Sequence, residues 1–160
     1  MFTELKLLKY PQAWIALGFG TGLAPKAPGT IGSLAAAALW WLLFADLTLP
    51  AQVAIVALGF VLGVWVSNWM IAKTGITDPG FIVWDEFIGM WLVLLLLPKT
   101  LLWYAIAFAL FRLFDAVKRG PVGWADRHFK GGFGVMIDDV FAGVLALAFV
   151  QLALRFSPLH

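Results

Sequence analysis

The sequence predicts an all-α fold: a polytopic helical membrane protein with about four to five transmembrane helices and an interfacial or re-entrant N-terminal segment, in one domain over residues 1–160. Three observations predict it. Of 160 residues, 62% are hydrophobic and 12% charged, and the mean hydropathy is +0.94, where a soluble domain sits near half apolar and a quarter charged. Residues 51–72 (AQVAIVALGFVLGVWVSNWMIA) carry no charge and at helical rise reach about 33 Å, enough for a hydrocarbon core of about 30 Å. Four further apolar runs fill most of the remaining chain. The absence of Cys removes disulfides, thiolate nucleophiles and Cys-ligated metal centres. A net charge of +2 gives little reason to expect acidic partners, and no nucleic-acid partner is expected.

Taken in order, residues 2–22 are rich in Gly and broken by Pro11, and they show no signal-peptide pattern. They form the interfacial or re-entrant segment. The runs 34–45, 87–97, 101–111 and 140–154 are 11 to 15 residues long, short of the roughly 20 a crossing needs, so each continues through charged flanks. Run 87–97 extends backward through Asp85 and Glu86, because Pro98 closes its other end; run 101–111 extends through Arg112 and Asp115; run 140–154 extends back through Asp138 and Asp139. Trp40, Trp41, Trp69, Trp84 and Trp103 fall near span ends and are expected in the interfacial belt. Asn68 is expected to face the bundle or to make a helix–helix hydrogen bond.

Five crossings place the connecting segments alternately on two sides. Lys6, Lys9, Lys26, Lys73, Arg112, Lys118, Arg119, Arg127 and Lys130 fall on one, and only Lys99 and Arg155 on the other, which puts the first side in the cytoplasm. All the acids except Asp46 share that side. Counted by helical rise from the outer ends, Glu86, Asp115 and Asp139 lie roughly 16 to 22 Å inward, at or somewhat inside the inner boundary. An uncompensated carboxylate there costs several kcal/mol, roughly, so these acids should face one another, a cation or a water-filled pocket.

Four constellations carry potential chemistry. Asp85-Glu86 is either a metal-ligating pair or two acids at the positive end of a helix. Asp138-Asp139 follows GGFGVMI, with Gly131, Gly132 and Gly134; the alternative is that one Asp caps the last helix, but a cap needs one carboxylate and here there are two. Asp115 lies three residues before Lys118, with Arg119 next, which suits an intrahelical ion pair or bases that hold phosphate. APKAPGTIGSL, residues 24–34, brings Thr30 and Ser33 to a helix start, either an anion site made of free amides or an ordinary Ser cap. His128 beside Arg127 and Phe129 reads as a solvated side chain.

Four ordered segments, PGTIGS at 28–33, DP followed by VWDEFIG at 78–89, FRLFDAVK at 111–118 and GGFGVMIDD at 131–139, resemble the motif set of the phosphatidylglycerophosphatase A family. The resemblance implies a bacterial inner-membrane, Mg²⁺-dependent lipid phosphatase that hydrolyses phosphatidylglycerophosphate to phosphatidylglycerol in phospholipid biosynthesis, its active site on the cytoplasmic side. By position it implies Asp85, Glu86, Asp115 and Asp139 as catalytic residues, Asp85, Glu86, Asp138 and Asp139 as ligands of one or two Mg²⁺, and Thr30, Ser33, Lys118 and Arg119 as contacts for substrate phosphate. The nucleophile is then metal-activated water or Asp115. Where the family pattern has Lys-Pro followed closely by Pro-Ile, this chain has Lys118-Arg119-Gly120-Pro121-Val122. Hard Mg²⁺ suits an all-oxygen, Cys-free site. The competing readings are a small transporter or a non-catalytic assembly subunit with a cation-binding acidic cluster. Acids crowded on one side, with no internal repeat, argue against the transporter.

Overall fold

The structure, a computed structural model, describes residues 6–157, and no strand occurs among them. We number the helices α1 (Pro11–Ala16), α2 (Pro28–Leu39), α3 (Leu49–Thr74), α4 (Trp84–Leu94), α5 (Leu101–Val117), α6 (Pro121–His128) and α7 (Gly131–Phe156); a 3₁₀ segment, Gly18–Leu23, follows α1, and a wider π turn, Trp40–Phe44, prolongs α2. Proline in the first turn starts α1, α2, α3 and α6, where its missing N–H costs nothing. The Thr100 hydroxyl accepts from the Trp103 amide and caps α5. Gly75, at φ 71°, ends α3 in the left-handed conformation that glycine adopts without strain.

Two helices, α3 and α7, both of 26 residues, are long and apolar enough to cross a membrane. The other apolar runs form shorter helices. Run 87–97 becomes α4, only 11 residues from Trp84 to Leu94, because the chain turns out of the helix before Pro98 and Leu96 takes φ 61°. At about 16 Å this helix is well short of a bilayer core. It is the centre of the bundle instead: Trp84, Phe87, Ile88, Met90, Trp91, Val93 and Leu94 are all buried, packed by α2, α3, α5 and α7. Helix α3 is its opposite, with Leu58, Val61 and Trp65 exposed, as a helix facing lipid would be. Of the N-terminal segment, residues 2–5 lie outside the described residues; the rest contains α1 and the 3₁₀ turn, and Ala13, Ala16 and Leu17 are buried with Val66, Met70 and Ile82.

The tryptophans correct the sequence expectation. Trp40, Trp84 and Trp103 are buried, and Trp40, Trp84, Phe87 and Trp91 form one aromatic core. The indole N–H groups of Trp84 and Trp91 each donate at 2.9 Å to a helix carbonyl, of Gly59 and Ala36 respectively. A ring with one polar atom can sit in a core when that atom finds an acceptor, so proximity to a span end did not determine where these side chains point. Asn68 does make the helix–helix bond, its Oδ1 accepting from the Gly132 amide at 2.8 Å.

Helix directions alternate. One end gathers the turn after α2, the α4–α5 turn and the last part of α7: Lys99 pairs with Asp46, Gln52 donates to the Phe44 and Ala45 carbonyls, and Gln151 donates to the Leu96 carbonyl. The opposite end gathers the end of α3 with the starts of α4 and α7 and the end of α5, and it holds every described acidic residue except Asp46. Helices α4 and α7 meet there through glycine. A β-carbon on Gly143 would lie 2.7 Å from the Gly89 carbonyl oxygen, and one on Gly89 would lie 2.8 Å from the Asp139 carbonyl oxygen. Small residues let two backbones approach, and this approach carries Asp85 and Glu86 up to Asp139.

Candidate active site

At the acidic end lies a cavity of about 540 Å³. Helix α4 contributes Asp85 and Glu86, α5 Asp115, α7 Asp138 and Asp139, and Lys118 stands at the α5 terminus; Asp78, Asp126 and Lys130 complete its charged lining. One carboxylate oxygen from each of Asp85, Glu86 and Asp139 falls within 4.8 Å of the others. The two acid pairs share a local device. Asp85 Oδ1 accepts from the Glu86 amide and Asp138 Oδ1 from the Asp139 amide, both at 3.0 Å, so the first acid of each pair is fixed by backbone and the second is aimed inward. Glu86 Oε2 and Asp139 Oδ2 are buried and have no hydrogen-bond partner. A buried carboxylate oxygen without a donor is costly, and here two belong to residues of one triad.

Asp138 is not in this triad; it turns to Lys118, whose Nζ donates to Asp138 Oδ2 at 2.9 Å and to Asp126 Oδ1 at 3.0 Å. Burial acts to lower the Lys118 pKa, but Asp138 and then Asp126 outweigh it and hold the ammonium above the ordinary lysine value. The pairing is therefore fully present below the ordinary lysine range and is lost only as pH rises past it, so Lys118 stays charged throughout the neutral and mildly alkaline range.

The expected pair of Asp115 with Lys118 does not form. Helix α5 ends at Val117, and Lys118 takes the left-handed conformation, φ 43°, which removes it from the face Asp115 occupies. Arg112 takes its place, donating to Asp115 Oδ2 at 2.6 Å. The same spacing of three residues was available on either side of Asp115, and only the end of the helix selects between them. Asp115 bears on Asp139, as do Glu86, Asp138 and Asp85.

Asp138 and Asp139 lie well inside α7, which begins at Gly131, so neither caps it. Ser33 is also no cap: α2 starts at Pro28, and the buried Ser33 hydroxyl donates to the Gly29 carbonyl at 2.8 Å. Neither Thr30 nor Ser33 is among the residues that line the cavity, and Arg119 is exposed and outside it. The segment that carries Thr30 and Ser33 reaches the site through a different residue. A β-carbon on Gly29 would lie 2.2 Å from Glu86 Oε1 and 3.3 Å from Arg112 Nη1, so the first turn of α2 packs directly on the Glu86 carboxylate. His128 is exposed at the end of α6, stacked on Trp124. Sequence reasoning gave no role to Arg112, Asp126 or Lys130. For Lys130 a signal existed, since it immediately precedes the first residue of α7; for Asp126 none did, because its partner is set by the turn at Lys118.

The family profile described as Phosphatidylglycerophosphatase A matches residues 14–154. The chain belongs to the phosphatidylglycerophosphatase A family. It is 45% identical over 144 residues to the Phosphatidylglycerophosphatase A of Escherichia coli K12, covering 87% of this chain and 82% of that one. To the Haemophilus influenzae protein of the same name it is 43% identical over 141 residues, 88% and 86% of the two chains. A Bacteroides thetaiotaomicron relative, provisionally named a phosphatidylinositol-3-phosphatase, is 42% identical over 147 residues, 87% and 91%. No solved structure matches. Family membership makes the chain an enzyme of the phosphatase class, and with two helices able to span a bilayer it is a membrane protein.

Proposed function

We propose that this enzyme hydrolyses phosphatidylglycerophosphate to phosphatidylglycerol and phosphate in phospholipid biosynthesis, with Mg²⁺, at the cytoplasmic face of a bacterial inner membrane that its helices cross four to five times. The observation that carries the reading is the triad of Asp85, Glu86 and Asp139, gathered within 4.8 Å from two helices, with two buried carboxylate oxygens left without a donor. This donor set fits a hard divalent cation: it is all oxygen, anionic and preassembled. Bound there, Mg²⁺ would supply Lewis-acid polarisation of a phosphoryl oxygen.

The chain's own residues do the rest. Asp85, Glu86 and Asp139 would hold the cation, and Asp138, next to Asp139 on α7, would hold Lys118. Lys118 offers a permanent positive charge to the equatorial phosphoryl oxygens, where charge builds up as the ester bond breaks. Asp115, held by Arg112 and facing Asp139, is placed to accept a proton from the attacking water. Water's oxygen forms the new bond to phosphorus, the bond from phosphorus to the glycerol oxygen breaks, and that oxygen leaves as the alcohol with the proton that Asp115 accepted. No phosphate contact is assigned to Thr30, Ser33 or Arg119, because none of them lines the cavity.

The test is phosphate release from phosphatidylglycerophosphate in detergent micelles by the purified chain, with Mg²⁺ or EDTA, beside Asp139→Asn. Release that requires the metal and collapses in a folded Asp139→Asn protein is the expected result. Metal-independent release would remove the carboxylate mechanism but leave the substrate. Faster release from phosphatidylinositol 3-phosphate would replace the substrate and leave the mechanism.

A further inference from the structure

The two ammonium groups on the cavity wall carry different obligations. Lys118 is held between Asp138 and Asp126 at 2.9 and 3.0 Å, so carboxylates meet its charge from two sides. Lys130 approaches Asp126 as well, but it donates to that residue's backbone carbonyl, at 3.2 Å, and forms no ion pair with any described carboxylate. It is also placed differently: Asp138 and Asp139 are buried, whereas Lys130 is exposed at the mouth, immediately before the first residue of α7. Among the described residues, the cavity thus has a buried end that is rich in carboxylates and, at its outer edge, a cation that no carboxylate neutralises.

The substrate assigned above has the complementary pattern. Its terminal phosphomonoester is the reacting group and belongs at the carboxylate triad beside Lys118. One glycerol unit away is a phosphodiester, singly charged, that joins the head group to diacylglycerol and must lie nearer the mouth. We propose that Lys130 binds this phosphodiester and so is a specificity-determining residue, favouring lipids that carry a diester beyond the monoester over lipids with a monoester alone, such as phosphatidic acid. The inference rests on the reading that the monoester goes to the triad. A lysine suits the task, because its ammonium is a compact charge on a flexible stem that can meet either non-bridging oxygen of the diester.

The experiment measures KM and kcat on phosphatidylglycerophosphate in mixed micelles with Mg²⁺ for the full chain, Lys130→Gln and Lys130→Arg. It adds two inhibitors: phosphatidylglycerol, which has the diester alone, and inorganic phosphate, which mimics the monoester. Lys130→Gln is expected to raise KM about tenfold with kcat within about twofold, the size of one charge-assisted contact that is uniform between ground and transition states. Lys130→Arg should restore most of the loss. Inhibition by phosphatidylglycerol should weaken by a similar factor while that by inorganic phosphate holds. An active wild type with an unchanged KM in Lys130→Gln overturns the inference alone, as does equal weakening of both inhibitors. A wild type inert on phosphatidylglycerophosphate overturns the substrate reading and this inference together.

Discussion

Gly29 has no functional group, yet it packs on the Glu86 carboxylate of the proposed metal triad. A β-carbon there would clash with Glu86 Oε1 and lie 3.1 Å from the carboxyl carbon, so Gly29→Ala must displace the Glu86 carboxylate from its place in the triad. A shift of about 1 Å in such a constellation costs about a hundredfold in rate, so Gly29→Ala should lose activity on that scale while its melting temperature stays close to wild type. Kinetics and thermal melts on the same preparation check this, and an active Gly29→Ala would mean that Glu86 Oε1 has room to move. The triad makes a second prediction that does not depend on turnover. Three crowded carboxylates repel, and a cation that binds only the folded form stabilises it by about 2.7 kcal/mol at a hundred times its dissociation constant. Mg²⁺ should therefore raise the melting temperature of the wild type and leave Asp139→Asn nearly unmoved. The acids themselves were legible in the sequence, because carboxylates at that depth demand a partner. Their division was not: that Asp138 serves Lys118 while Asp139 joins the triad depends on the left-handed turn at Lys118, and the role of Gly29 depends on a contact between helices far apart in the chain.

The site's precision comes from the seam between α4 and α7. Gly89 and Gly143 let the two backbones approach so closely that a side chain on either would strike the partner's carbonyl, and the acids on both helices are brought together as a consequence. Gly143→Val should lower stability by about 1–3 kcal/mol through overpacking and should also spread the triad, so that activity falls further than the loss of folded protein explains. Val144→Leu, one position on and half exposed, is the control and should change neither. Denaturant melts with activity normalised to folded protein separate the two effects. Composition showed that these segments are apolar helices, but it did not show which one is central. A buried core helix and a short membrane span have the same apolar content, and α4 proved to be the former because its turn before Pro98 ends it after 11 residues and its neighbours enclose it.

At the scale of the whole molecule, the distribution of charge and the fold agree on polarity. The ion pair of Lys99 with Asp46 lies at the end away from the cavity, while the carboxylates, Lys118 and Lys130 line the cavity at the other. This separation was visible in the sequence as a one-sided distribution of acids and bases, since connecting segments alternate between sides even where single helices are too short to be recognised as spans. What the sequence could not supply is the number of helices that cross fully, because α2, α4 and α5 depend on their neighbours for burial. The absence of cysteine makes the orientation directly measurable. Asp46 has an 80% exposed side chain and Arg127 is exposed beside the cavity, so Asp46→Cys and Arg127→Cys report the two ends with little expected cost to the fold. Exposed surface positions of this kind contribute within about 1 kcal/mol. In intact cells, a membrane-impermeant maleimide should label Asp46→Cys and reach Arg127→Cys only after permeabilisation, because the end rich in Lys and Arg is retained in the cytoplasm. The reverse pattern would place the cavity on the outer face, where a lipid phosphate made in the inner leaflet would have to be flipped before hydrolysis. Equal labelling of both positions before permeabilisation would mean that the chain does not separate two compartments, and the multi-pass arrangement would fall with it.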